Sequence, residues 1–250
     1  MENQHMGSSS RVCLLFFSII GFSSLFLGCF QPGSSSHYVQ RNEPNAVLAG
    51  QAAKEATLTP SDLDKVALRR YLPYVKSYSK KYGVDWLLVL AVMKQESEFS
   101  HDAVSHRGAY GLMQIMPITQ IELSEKVGVD ETMSPGNNIK AGIYHLRSLY
   151  NFFGKSATDD RIRLTLAAYN AGLGRILDAR KVARYLGNDP RTWNAVKDAL
   201  PFLSSSGYSL HQSIWRDGQP QSGYFRNWKQ TVAYVDNVTT YREELRRSNY

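Results

Sequence analysis

A continuous apolar run, Trp86–Met93, is the strongest feature in the hydrophobic and polar pattern of the chain. Periodicity alone does not distinguish a buried strand from a buried helix in such a run. Its flanks favour a helix, because Gly83 ends the preceding element, Asp85 is a good N-cap, and helix-forming residues continue to Glu96. A helix that is apolar on all sides lies in a core. The pattern therefore predicts a central buried helix that ends near Glu96.

Helical signals recur on both sides of this central helix. Before it, Thr59 and Pro60 provide an N-cap and a first-turn proline for a helix that ends at Gly83. Later helices, delimited mainly by prolines and glycines, are expected at 117–127, 135–153, 159–170, 175–186, from Asp189-Pro190 to about 200, and at 224–247. We expect 201–222 to be an irregular surface loop, and the Gly-rich segment after Glu96 to be a short loop or small β hairpin. The predicted class is mainly α, with several helices around the central one and a small β or loop element.

Glu96 is the candidate catalytic residue that this pattern singles out. The C-terminal end of a helix carries partial negative charge, and partial desolvation beside a core disfavours an ionised carboxylate. Both effects raise the pKa of a carboxyl group, as a general acid near neutral pH requires. Glu98 lies about 200° further round the helix, so the two carboxylates do not share a face. The alternative is that both are solvated acids at a helix end.

The first 57 residues differ in composition from the rest of the chain. An uncharged stretch at 12–30 is rich in Leu, Phe and Ile, as in the apolar part of a signal peptide. The segment before Cys29 resembles a bacterial lipoprotein cleavage box. We predict a lipoprotein signal peptide at 1–28, lipidation of Cys29, a lipid-anchored linker at 29–57 and a globular domain at 58–250. The alternative is an uncleaved membrane anchor, since the apolar run is nearly long enough to span a bilayer.

Composition narrows the classes of function. The net charge of +7 fits either simple solubility or attraction to a polyanion such as nucleic acid, anionic lipid or bacterial wall. The sequence has no run of Lys and Arg typical of a basic tail, so nucleic acid is not expected as a partner. Its two cysteines, Cys13 and Cys29, exclude a disulfide framework if the second is lipidated. The six histidines lack the spacing of metal ligands, so we expect surface or packing residues and no bound metal.

Four ordered blocks carry a family resemblance that covers about 65–245. Glu96-Ser97 is followed at 103–119 by Ala-x-Ser-x-x-Gly-Ala-x-Gly-Leu-Met-Gln, a hydrophobic residue and Met-Pro-x-Thr. Residues 138–146 match Asn-Ile-x-x-Gly-x-x-Tyr-Leu, with Tyr144 and Leu146 shifted by an inserted His145 or a moved aromatic. Ala-Tyr-Asn-Ala-Gly stands at 168–172, and 230–238 match Glu-Thr-x-x-Tyr-Val-x-x-Val with Gln230 in place of the glutamate. The chain thus resembles the lytic transglycosylases with the soluble-lytic-transglycosylase, or goose-lysozyme-like, domain.

The resemblance implies a lysozyme-like α+β fold and a reaction on peptidoglycan glycan strands. Glu96 is implied as the single catalytic acid and base, whereas ordinary glycosidases use two carboxylates. The implied reaction breaks the β-1,4 bond between N-acetylmuramic acid and N-acetylglucosamine without water and forms a 1,6-anhydro ring. It needs no metal and no cofactor.

Further site residues are implied by position in the matching blocks: Ser105, Gly111, Met113, Gln114, Tyr169, Asn170 and Tyr234 as substrate-binding or cleft residues. Three of these assignments have structural alternatives. Ser105 is alternatively a turn-stabilising serine, Met113 a plain core residue, and Asn170 a helix C-cap before Gly172. The late tyrosine, Tyr234, is expected to direct its hydroxyl toward Glu96 or toward a substrate acetamido group.

Two other functions compete with the transglycosylase. A goose-type lysozyme would let water attack and would more often have an extra acid near the cleft, for which Asp102, Glu122 and Asp130 are candidates. A non-catalytic wall-binding lipoprotein would keep the cleft alone, but an intact Glu96 argues against it. Phe30 after the lipidated cysteine favours the periplasmic side of the outer membrane, with an inner-membrane anchor as the alternative.

Overall fold

The computed structural model describes residues 60–128 and 134–248, and these form a mainly helical fold. Its α-helices are α1 (Pro60–Tyr82), α2 (Trp86–Ser97), α3 (Pro117–Val127), α4 (Pro135–Phe152), α5 (Thr158–Ala171), α6 (Leu173–Tyr185), α7 (Trp193–Ala199), α8 (Tyr208–Ile214) and α9 (Trp228–Arg247). Two short 3-10 turns, Leu200–Leu203 and Ser205–Gly207, lie between α7 and α8. The predicted mainly α class is confirmed.

Helix α2 is the central helix that the apolar run predicted. Asp85 is its N-cap, and one carboxylate oxygen accepts a hydrogen bond from the Leu87 amide at 3.0 Å. The other oxygen accepts from the Arg242 guanidinium of α9 at 2.7 Å. All residues from Leu88 to Met93 are buried, because α2 packs against α1 on one side and α9 on another. The ion pair and the packing together fix the orientation of α2 and thereby the position of its C-terminal end.

The remaining helices pack around α2 and its partners. Helix α4 lies against α1, α3 and α5, while α5 also contacts α6 and α9. Helix α6 in turn packs against α7. The buried apolar residues of these helices form one continuous core. This arrangement brings the ends of α2 and α5, the middle of α4 and one face of α9 to a common region.

The predicted small β element is reduced to two isolated bridges within the described residues, Val104 with Tyr110 and Tyr110 with Ile115. The side chain of Asn138 on α4 forms hydrogen bonds to the backbone of this loop, as a neighbouring strand would. It donates to the Tyr110 carbonyl at 3.0 Å and accepts from the Met113 amide at 2.8 Å. Gly111 has a φ of +78°, and a Cβ there would lie 2.7 Å from the Asn138 side chain. Glycine is therefore required at this close approach.

Two predicted boundaries and one predicted loop are wrong. Residues 201–222 are not an irregular surface loop, since they contain α8 and bury His211 and Trp215. The last helix begins at Trp228 rather than 224, because the Phe225 amide bonds to the Leu203 carbonyl at 2.9 Å in a non-helical connection. Helix α7 begins at Trp193, and its N-cap is Thr192 rather than Asp189-Pro190.

The N-terminal predictions lie outside the described residues. These are the signal peptide at 1–28, the lipidation of Cys29, the linker at 29–57 and the N-cap role of Thr59. Within 60–128 and 134–248, none of the helices has both the length and the apolar character needed to cross a bilayer.

Candidate active site

Glu96 lies in the last turn of α2 and lines a cleft of about 490 Å³. The chain turns away directly after it, since Glu98 ends the helix in the left-handed conformation with a φ of +50°. The Ser97 hydroxyl donates to the carbonyls of Met93 and Leu112, which ties the helix end to the following loop. Glu98 is exposed, so only the first of the two neighbouring carboxylates faces the cleft.

The pKa of Glu96 is raised from 4.5 to about 7, chiefly because burial disfavours the charged form. The Tyr234 hydroxyl of α9 donates to a Glu96 carboxylate oxygen at 2.7 Å and opposes part of this rise. Tyr234 is itself buried, and its own pKa lies well above 10 because of burial and the nearby carboxylate. At neutral pH Glu96 is therefore present in both protonation states, as a residue that must give and then take a proton requires.

Tyr169, near the end of α5, also lines the cleft. Its hydroxyl donates to the Met113 carbonyl at 2.7 Å, and its ring lies 5.3 Å from the ring of His145. The pKa of His145 is lowered to about 4, mainly by burial, so its imidazole is neutral at neutral pH. Glu122 opposes this shift and Lys126 adds to it.

His145 is a cleft residue that the sequence analysis missed, because the histidines were expected to be surface or packing residues. The structure also shows where the shifted Tyr144 of the second sequence block lies. Its ring packs edge-on against the ring of Tyr82, with the ring centres 5.6 Å apart, while His145 lines the cleft. The signal was available in the block itself, where His145 stands at the position of the family tyrosine.

Ser105 and Gln114 line the cleft from the loop after α2. The Ser105 hydroxyl oxygen accepts from the Ala109 amide at 3.0 Å, so this serine also stabilises its turn. The Gln114 side-chain amide donates to the carbonyls of Ala103 and Gly111 at 3.0 and 2.9 Å, and its backbone has a φ of +45°. Both side chains are therefore held by the loop that they belong to.

Gly111 and Met113 do not line the cleft in the structure. The Met113 side chain is fully buried and packs against Gly142 of α4, where a Cβ would lie 2.6 Å from the Met113 Cβ. Of the two assignments considered for Met113, the core residue describes its side chain, and the cleft-lining assignment is corrected. Its backbone still contributes, through the carbonyl that receives the Tyr169 hydroxyl.

Asn170 lines the cleft beside Tyr169, and its side-chain oxygen accepts from the Thr231 hydroxyl of α9 at 2.7 Å. It lies inside α5 and is not the C-cap, which is Gly172.

Glu96 is the sole carboxylate among the described residues that line this cleft. Asp102 is exposed and accepts from the Ser100 hydroxyl at 2.6 Å, and Glu122 is exposed outside the lining. Asp130 lies outside the described residues. No cluster of three or more His, Cys, Asp or Glu side chains suited to a metal ion occurs in the described part of the chain.

Known proteins provide the context for this geometry. Residues 73–190 match the family model described as the transglycosylase SLT domain. The chain contains a transglycosylase SLT domain. The matched segment of the SLT domain includes Glu96, Ser105, Gln114 and Tyr169, and it ends before α9, which provides Tyr234.

Relatives of this SLT domain include two proteins named membrane-bound lytic murein transglycosylase F. That of Desulfosudis oleivorans is 34% identical over 182 residues, which are 72% of this chain and 37% of the relative. That of Alkalilimnicola ehrlichii is 33% identical over 181 residues, covering 72% of this chain and 34% of the relative. The chain thus spans about a third of the length of these relatives. The solved 70 kDa soluble lytic transglycosylase of Escherichia coli matches 69% of this chain and 23% of its own, with 26% identity and a TM-score of 0.48.

Proposed function

We propose that this protein is a lytic transglycosylase of peptidoglycan. The observation that carries the proposal is Glu96, a single cleft carboxyl group with a pKa of about 7 and a hydrogen bond from Tyr234. The SLT domain and the names of the relatives support the same class of reaction. The substrate is the β-1,4 bond between N-acetylmuramic acid and N-acetylglucosamine.

In the first step, protonated Glu96 donates its proton to the glycosidic oxygen. The bond between that oxygen and C1 of the muramic residue breaks, and the N-acetylglucosamine chain leaves with the proton as a free hydroxyl. The substrate's N-acetyl group stabilises the cation that develops at C1. A carboxyl group that is half protonated near neutral pH is suited to this step.

In the second step, ionised Glu96 accepts the proton of the muramic C6 hydroxyl. The oxygen of that hydroxyl forms a bond to C1, which closes the 1,6-anhydro ring and returns Glu96 to its protonated state. Water is not consumed. The Tyr234 hydroxyl stabilises the carboxylate between the two steps, because a hydrogen bond to the charged form favours that form.

The glycan strand is bound by the other cleft side chains. Asn170 presents an amide that can bond to an acetamido group, and Ser105 and Gln114 add polar contacts from the loop. Tyr169 offers a ring face, while Gly111 and Met113 act indirectly by shaping the loop.

The location of the reaction is part of the proposal. A signal peptide at 1–28 and a lipid on Cys29 would attach the linker at 29–57 and the domain at 58–250 to the periplasmic side of the outer membrane. The relatives' names contain the words membrane-bound, which supports a membrane attachment without specifying its kind.

Digestion of purified peptidoglycan by the full-length protein in detergent tests the function, with mass spectrometry of the products. We expect anhydro-muropeptides, which are lighter than hydrolysed ends by one water, and we expect them to disappear with Glu96→Gln. Reducing ends instead would identify a goose-type lysozyme. Strand binding without any product would identify a non-catalytic wall-binding protein.

A further inference from the structure

A second pocket, of about 370 Å³, adjoins the catalytic cleft. Arg107, Asn170, Ala171 and Arg175 line both cavities, so cleft and pocket form one continuous groove. The first turn of α9 and the segment before it close the far side of the second pocket. A strand held at Glu96 therefore has a path for a substituent into this side pocket.

The side pocket is strongly cationic. Three guanidinium groups line it, those of Arg107, Arg175 and Arg226, and no carboxylate lies among its described lining residues. None of the three forms an ion pair with another residue of 60–128 or 134–248. Guanidinium groups bind carboxylates and phosphates through paired hydrogen bonds, so three of them around one cavity whose lining has no carboxylate form a site for an anion.

Arg175 has the most constrained of these guanidinium groups. One of its terminal nitrogens donates to the Ala171 carbonyl at 2.9 Å, and the group lies 5.0 Å from the centre of the Phe225 ring. Its Nε is buried and has no partner within the protein. Arg107 and Arg226 are exposed at the rim, so their side chains are free to close on a bound group.

Gln230 explains why no carboxylate neutralises the pocket. It lines the pocket from α9 and occupies the position of the glutamate in the fourth sequence block. Glutamine is neutral and nearly the same shape as glutamate, so the exchange removes one negative charge and keeps a hydrogen-bonding group. Asn170 and Asn227 add two further neutral amides to the lining.

We propose that this arginine pocket, lined by Arg107, Arg175, Arg226 and Gln230, binds a free carboxylate of the stem peptide of peptidoglycan. The inference rests on the proposed function, because the groove leads from the glycan-cleaving acid to the pocket. Stem peptides branch from N-acetylmuramic acid through its lactyl group and end in free carboxylates. Arginine binds carboxylates through paired hydrogen bonds, and the side-chain amides of the lining suit peptide groups.

Binding to soluble glycan strands tests the proposal without relying on turnover, because every protein carries Glu96→Gln. One set of strands bears stem peptides, a second has been stripped of them by an amidase, and a third has its stem carboxylates converted to amides. We expect Arg226→Gln to weaken binding to stem-bearing strands about fivefold, as for a partly exposed charge pair. We expect no change on the other two sets.

Two further variants sharpen the test. Gln230→Glu restores a negative charge and should reduce the same stem-dependent affinity, and it should leave binding to stripped strands unchanged. Arg216→Gln removes the same charge from an exposed arginine outside both cavities and should change nothing. Thermal unfolding of each variant is expected to match that of the parent, because Arg226 and Gln230 are exposed.

Equal losses on all three sets of strands would overturn the proposal in favour of a contact with the glycan itself, because the amidated strands lack free carboxylates. Unchanged affinity on all three sets would also overturn it. Losses on stem-bearing and stripped strands, but not on amidated strands, would overturn the assignment to the stem peptide, because the pocket would then bind the lactyl carboxylate that amidase uncovers as well as a stem carboxylate. Failure of the proposed function is a separate result, since it would appear as absent anhydro products in the wild-type digestion whatever the binding data show.

Discussion

Replacing Glu96 by Gln should make the protein more stable at pH 8 and have little effect at pH 4. The folded pKa of Glu96, about 7, exceeds its ordinary value of 4.5. Between pH 4.5 and about pH 7, Glu96 binds more protons in the native state than in the unfolded state, so its contribution to wild-type stability falls as pH rises. The difference between the two pKa values corresponds to about 3 kcal/mol in the free energy of unfolding. Glutamine does not titrate and escapes this loss, and its side chain can still accept from Tyr234.

Urea unfolding of wild type and Glu96→Gln at pH 4 and pH 8 measures this effect, since midpoint and slope give the free energy of unfolding. We expect the stability of the variant relative to wild type to grow by about 3 kcal/mol from the lower to the higher pH. Glu98→Gln is the matched control, because it makes the same charge change at an exposed position on the same helix end. If the relative stability of Glu96→Gln does not change with pH, burial does not hold this carboxyl group partly protonated.

Three further predictions test the geometry around the acid. Tyr234→Phe removes a hydrogen bond to the charged form of Glu96, so the pH at which cleavage falls should rise by about 1–2 units. Tyr169→Phe should leave this pH unchanged, since the Tyr169 hydroxyl bonds to the Met113 carbonyl. Gly142→Ala places a Cβ 2.6 Å from that of Met113 and should cost about 1–3 kcal/mol in urea unfolding; no loss would mean that the core yields there. Asp85→Ala should destabilise by about 1–2 kcal/mol through loss of its cap, and Asp85→Asn by less, because the amide still caps; equal losses would assign the effect to the ion pair.

The parts of the fold that were predicted correctly depend on local signals. The apolar run and the Asp85 cap located α2, because both lie within a few residues of the helix start. The start of α3 followed from Pro117 in its first turn. Such features act on the backbone of neighbouring residues, so the helix bounds that they set can be predicted from the sequence alone.

The parts that were not predicted depend on contacts between distant segments. Residues 201–222 are rich in Ser and Gly and resemble a loop, but Trp215 and His211 pack into the core and order the segment. The placement of His145 likewise depends on which face of α4 meets the cleft. The direction of the Glu96 pKa shift was expected from the helix end and from desolvation. The size of the rise depends on burial and on the Tyr234 hydrogen bond in the folded protein, which the sequence does not show.

The hydrogen bond between Glu96 and Tyr234 has a consequence for biosynthesis. The two residues are separated by 138 positions, so the acid acquires its partner only after the ribosome has added the whole segment between them. A nascent or prematurely terminated polypeptide that stops at residue 190 holds the entire segment matched by the SLT family model, but it lacks α9. The order of translation therefore delays assembly of the acid with its partner until α9 has been made and has packed against α2.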